Sequence, residues 1–140
     1  MTRVEFFFNV PDKLAKASEL CANGLAKGHR LTVFSRDDGM SLDLQQRLWQ
    51  YSAASFLPSV KAGDVLSQFT PIVFDTNGEC LLQDDVLINL QTDHPPFFSR
   101  FRLLIELVGD DDADKASARA RFRFYRDRGY EIKSKDMALS

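Results

Sequence analysis

Apolar residues fall along this chain in short, dense runs, separated by stretches with helical periodicity. Residues 3–10 (RVEFFFNV) carry Val and Phe almost without a break and stop at Pro11, which predicts a buried first strand. Asp12 can cap a helix in which Leu14, Ala17, Leu20, Cys21, Ala22 and Leu25 recur at helical spacing up to Gly28. Residues 30–34 (RLTVF) predict a short second strand. Strand, helix and strand in such quick succession imply a parallel pair joined by a right-handed crossover.

After a loop at residues 35–40 (SRDDGM), Ser41 is placed to cap a second helix, SLDLQQRLWQYS, whose Leu42, Leu48 and Trp49 need a surface to cover. Residues 54–58 (ASFLP) form another short extended piece, and residues 59–69 are mixed, a loop with some helix. Residues 71–74 (PIVF) make a buried strand by composition, Asn77-Gly78 signals a turn, and residues 85–90 (DVLINL) are the clearest later strand. Pro95 and Pro96 introduce a helix over residues 97–108, with Phe97, Phe98, Phe101, Leu104, Ile105 and Val108 as its apolar positions. A last strand covers residues 130–133 (YEIK). Strands alternate with helices throughout, with no repeat and no linker. The expectation is one α/β domain over residues 1–140, a mostly parallel sheet flanked by helices.

Between the last two elements lies KASARARFRFYRDRGY, residues 115–130. Asp110, Asp111, Asp112 and Asp114 precede it, supplying a cap and negative charge where the helix dipole favours it, and Gly129 stands where the helix should stop. At roughly 100° per residue, Lys115, Arg119, Phe122, Arg123 and Arg126 share one stripe. Ala118 and Tyr125 lie on its shoulder, while Arg121 and Arg128 point elsewhere. One reading is a solvated amphipathic helix whose arginines pair with the acidic loop and nearby Glu and Asp, but a purely solvated face does not require an aromatic residue among its cations. This surface suits an acidic partner with something apolar to bury.

Composition narrows the function classes. The 140 residues are 44% hydrophobic and 27% charged, with a net charge of −2, so the positive charge of this helix is local and the chain is no generic nucleic-acid binder. Twelve Phe point to a well-filled core or to apolar surface kept for partners. Cys21 and Cys80 stand far apart, with no CxxC and no nearby His pair, and read as core residues of a reducing compartment. The apolar start MTRVEFFFNV is too short for a signal peptide or a membrane span. A soluble, cytoplasmic protein is expected.

No catalytic constellation emerges. The turn after the first strand, NVPDKLAKAS, has no Gly to admit a pyrophosphate, and SRDDGM lacks the Gly-Lys-Ser/Thr of a phosphate loop. The Asp run lacks the Gly and Glu positions of a calcium loop. Asp84 and Asp85 precede their strand, whereas ligands of such sheets gather at strand carboxyl ends. His29 and His94 stand alone, and neither Cys has a partner base. The expectation is no enzyme, no cofactor and no metal.

The strand VEFFFNV, the segment RLWQYSAASFLP, DVLINL and above all ARARFRFYRDRGYEI, taken in that order and spacing, resemble the chi subunit family of the bacterial DNA polymerase III holoenzyme. The resemblance covers nearly the whole chain. It implies a Rossmann-like α/β domain without a nucleotide site, acting as a non-catalytic accessory subunit. It implies two protein partners: the psi subunit, paired one-to-one and leading to the clamp loader, and the acidic, Pro-Phe-ended C-terminal tail of single-stranded-DNA-binding protein. DNA would then be contacted only indirectly. By the family pattern the tail pocket falls on Lys115, Arg119, Phe122, Arg123 and Arg126, with Trp49, Phe56 and Val108 as its apolar wall. The family often has Tyr where this chain has Phe122, and His where it has Ser59. Rival readings are direct nucleic-acid binding through the same helix, and a small-molecule enzyme on the same sheet.

Overall fold

A computed structural model describes residues 2–35, 39, 42–43, 46, 59–61, 72–75, 84–91 and 93–137. Among them, strands β1 (Arg3–Val10), β2 (Leu31–Phe34), β3 (Ser59–Lys61), β4 (Ile72–Asp75), β5 (Val86–Asn89), β6 (Leu103–Gly109) and β7 (Glu131–Asp136) form one sheet. Its order is β3-β4-β2-β5-β6-β1-β7, and every neighbouring pair is parallel. Helices α1 (Lys13–Ala26) and α2 (Asp112–Asp127) cover it. The expected α/β class is the observed one.

Strands β1, β2, β5 and β6 carry apolar residues on both faces, as strands of a parallel sheet covered by helices must. On one face Ala17 and Cys21 of α1 pack on Leu31, Val33, Ile88, Ile105 and Leu107. Burial pushes the Cys21 thiol up to about 12, so it is an inert core residue. On the other face Ala118 and Tyr125 of α2 pack with Val4, Phe6, Phe34, Leu87, Leu104 and Val108, joined by Phe98 and Phe101 of the β5–β6 connection.

Helix α1 starts where Asp12 Oδ1 accepts the Leu14 and Ala15 amides, at 3.1 and 3.2 Å. Helix α2 starts at Asp111, whose side chain accepts the Asp114 amide. It ends where Gly129 takes φ +83°, with the Gly129 amide bonded to the Arg126 carbonyl and the Tyr130 amide to the Tyr125 carbonyl. Those two bonds satisfy the last carbonyls in the pattern that a left-handed residue permits. Asp111→Ala should lower stability by about 1 kcal/mol, the usual worth of an N-cap, read from the midpoint of urea denaturation.

Four expectations need correction. Residues 97–108 are not a helix: a 3-10 turn at Phe98–Arg100 leads into strand β6. A fully buried strand is apolar on both faces, so LLIELV offers helical and strand spacings alike. Strands β1 and β2 lie in one sheet but are not neighbours, because β5 and β6 stand between them. Residues 59–61 are strand β3 rather than loop, and the final strand runs on to Asp136. In the expected second helix, residues 41–52, only Leu42, Asp43 and Gln46 are described, and they are helical. The extended piece at residues 54–58 and the Asn77-Gly78 turn lie outside the described residues.

Candidate functional site: a cationic groove beside helix α2

Helix α2 follows β6 through a tight turn in which Asp114 Oδ2 accepts the Gly109 amide and lies 3.4 Å from Lys13 Nζ. A Cβ on Gly109 would come within 3.1 Å of Asp114 Oδ2 and 3.2 Å of Asp111 Oδ1, so a side chain there would require both carboxylates to shift by a few tenths of an ångström. The acidic run thus serves to start the helix. Asp85 is also structural: its Oδ2 accepts the Arg30 amide at 3.1 Å and meets His29 Nδ1 at 3.0 Å.

What fixes the rotation of α2 is a polar cluster within the core. Glu106, in the middle of β6, is fully buried, and its Oε1 lies 3.2 Å from Nε of Arg121, which is 2% exposed. Tyr125 donates its hydroxyl to Glu106 Oε2, and Asn89 Nδ2 donates to Oε1 at 2.9 Å. Arg121 Nη1 also reaches Ser117 Oγ at 3.0 Å. Burial raises the Glu106 carboxyl to about 7, opposed by Arg121, Tyr125 and Asn89. Burial and the neighbouring carboxylate also push the Tyr125 hydroxyl well above its ordinary value, so it stays a donor. Above the cluster, His94 stacks on Phe124 with ring centroids 3.7 Å apart, and the Arg128 guanidinium lies 3.6 Å from the Phe124 centroid. Burial first, then Arg128, lowers the His94 imidazole below its usual range.

With Ala118, Arg121 and Tyr125 buried, the next face of α2 overhangs strands β1 and β7. A groove of about 380 Å³ opens there. Phe6, Phe8, Val108, Ala118 and Phe122 give it apolar walls, Lys115 and Arg119 bring two cations, and Asn9 and Ser134 complete it. Asn9 sits at φ +57°, where β1 shifts register between Phe7 and Val10, and its Nδ2 donates to Asp136 Oδ1 at 2.9 Å. Asn is among the few residues that accept this backbone region readily.

The structure therefore brings together four of the eight residues expected from the sequence: Val108, Lys115, Arg119 and Phe122. Phe122 belongs to groove and core at once, packing 5.5 Å from the Phe6 ring while lining the opening. Arg123 and Arg126 are exposed farther along the same helix and do not line it; Arg126 lies 3.4 Å from Asp127. Trp49 and Phe56 lie outside the described residues. The strand side of the groove, Phe6, Phe8, Asn9 and Ser134, was not anticipated. Phe-rich β1 is apolar on both faces, so its sequence does not say which ring faces which helix.

The family described as DNA polymerase III chi subunit, HolC, matches residues 1–133. The chain belongs to that family. A DNA polymerase III subunit chi from Haemophilus influenzae is 31% identical over 122 residues, covering 86% of this chain and 85% of that protein. Its counterpart from Pseudomonas aeruginosa is 29% identical over 137 residues, covering 94% of each. That from Escherichia coli is 27% identical over 115 residues, covering 81% and 78%. Among solved structures, the C-terminal domain of Saccharomyces cerevisiae Dbp5, bound to Gle1 and IP6, superposes with a TM-score of 0.60 at 12% identity, covering 97% of this chain and 90% of that one. At that identity the likeness is one of fold alone. Family membership makes the chain an accessory subunit of the replicative polymerase, with its role in DNA replication. Among the described residues no helix is long and apolar enough to cross a membrane.

Proposed function

We propose that this subunit is a non-catalytic adaptor that captures the acidic, Phe-ended C-terminal tail of single-stranded-DNA-binding protein in the groove beside α2. The observation that carries this reading is the meeting of an apolar cleft with two cations, Lys115 and Arg119, on one helix edge. The terminal ring of the tail enters between Phe122, Phe6 and Phe8. Its carboxylates take charge-assisted bonds from Lys115 and Arg119, a bidentate one in the case of arginine. Arg123 and Arg126 add positive potential farther out, which speeds encounter more than it holds the complex. Another surface binds psi, which links the subunit to the clamp loader, so coated single-stranded DNA is reached through protein alone. The subunit works in the cytoplasm and needs no metal or cofactor.

Calorimetric titration with a tail peptide, beside a copy lacking the final Phe, tests the reading. A short peptide with one buried anchor and a few ion pairs should bind at around micromolar, about −8 kcal/mol, and more weakly as salt rises. Deleting the Phe should abolish binding. Arg119→Ala should lose roughly 1.5–3 kcal/mol, typical of a hydrogen bond to a charged group, and Arg123→Ala clearly less. Absence of binding by the intact peptide at low salt would refute the proposal.

A further inference from the structure

The groove has an open side. Among the described residues, strand β7 is the outermost strand of the sheet and pairs with β1 alone, Arg3–Phe8 against Glu131–Asp136. An edge strand offers a row of backbone donors and acceptors to any extended chain laid beside it. Alternation assigns its side chains to faces. Ser134 stands level with Phe6 on the α2 side, whereas Lys133 and Lys135 stand level with Glu5 and Phe7 on the other. Both lysines and Ser134 are exposed.

On the α2 side, Ile132 is half-buried against the core, and Asp136 is held by Asn9. Ser134, small and exposed between them, is the residue of β7 that lines the groove, so groove and edge meet there. Lysines on an edge strand ordinarily discourage apolar or neutral strands from pairing with it. An acidic strand is attracted by the same charges.

We infer that the β7 edge is the second half of the groove, and that its occupant is an extended acidic peptide. The inference rests on the groove being a peptide site. The peptide's apolar end lies under Phe122, its chain passes over Ser134, and it continues as an added strand along residues 132–135, roughly 13 Å of β-structure. Because successive side chains of a strand face opposite ways, its carboxylates meet Lys133 and Lys135 on one face and Lys115 and Arg119 on the other. An uninterrupted acidic run therefore fits, since either parity finds cations. Glu131 and Asp136 bound the stretch with negative charge.

The test uses the full chain and tail peptides carrying single backbone N-methyl groups at successive positions upstream of the anchor, with affinity read by fluorescence anisotropy. Strand addition requires an alternating response. Methylation at positions of one parity should weaken binding by roughly tenfold, and at the other hardly at all. Lys133→Glu with Lys135→Glu should weaken it by a similar factor at low salt, with an unchanged melting temperature. A flat methylation series together with unaltered binding by the lysine variant overturns the edge while leaving the groove standing. Sensitivity to lysine reversal with a flat methylation series overturns strand addition. No binding by the unmodified peptide overturns groove and edge together. A concentration-dependent dimer in sedimentation that the peptide does not dissolve gives the edge to a second copy, and likewise overturns the inference.

Discussion

Glu106→Ala, measured at about pH 8, should cost roughly 3–5 kcal/mol of folding stability, the range for breaking one side of a buried ion pair. The cause is the guanidinium left behind rather than the lost attraction. Arg121 is 2% exposed and buried against the sheet, so without Glu106 its charge loses the carboxylate 3.2 Å from Nε where little water can replace it. Tyr125 and Asn89 lose an acceptor in the same step. For a chain of this length the loss corresponds to a fall of roughly 10–20 °C in Tm. The double variant Glu106→Met with Arg121→Met should recover most of it, because apolar replacement removes both desolvation costs at once. Thermal and urea denaturation of the three proteins would check this. A loss below about 1 kcal/mol in the single variant would mean that Arg121 reaches solvent or another carboxylate.

The same carboxyl should give the stability curve an unusual slope with pH. Burial raises Glu106 from 4.5 to about 7, so between those values the folded chain holds a proton that the unfolded chain has released. The contribution is fully present below pH 4.5 and is lost as the pH rises through about 7. At 1.36 kcal/mol for each pKa unit, Glu106 alone should subtract about 3 kcal/mol over that window. Surface carboxylates paired with cations act in the opposite sense, so the comparison is with Glu106→Gln, whose profile lacks this fall. Urea midpoints for both proteins from pH 4.5 to 8 would decide the matter. Identical profiles would mean that Arg121, Tyr125 and Asn89 hold the carboxylate ionised throughout.

How legible all this was in the sequence depended on whether the signal was local. Helix α2 could be read with its ends, because the cap at Asp111 and the left-handed Gly129 are short-range devices. Periodicity placed Lys115, Arg119 and Phe122 of the groove on one stripe, but it placed Arg123 and Arg126 there too, and those lie farther along the helix. The strand side did not emerge that way, because it needs β1 beside β7, and strand order depends on contacts between residues more than a hundred positions apart. Strand β6 was hidden by its uniformity: buried on both faces, LLIELV carries no alternation. Its one exception held unused information. A lone Glu in an apolar run calls for a buried partner, and Arg121 and Tyr125, four residues apart in the following helix, were placed to supply it. Reading Arg121 as pointing away from the cationic stripe was right, and its destination was the core.

The position of β1 has a consequence for how the chain reaches this fold. Its neighbours, β6 and β7, are the last two strands, and Arg3 pairs across about a hundred residues with Leu103. On a ribosome, the Phe-rich first strand leaves the exit tunnel long before either flank exists. It must wait, with three successive phenylalanines unpaired, until about a hundred further residues have been made. Closing so long a loop is slow, and a waiting apolar strand is open to mispairing and to chaperones. Pairing of β1 is therefore expected to be a late step of folding. A truncation that removes β7 would leave the same strand as a permanent sticky edge.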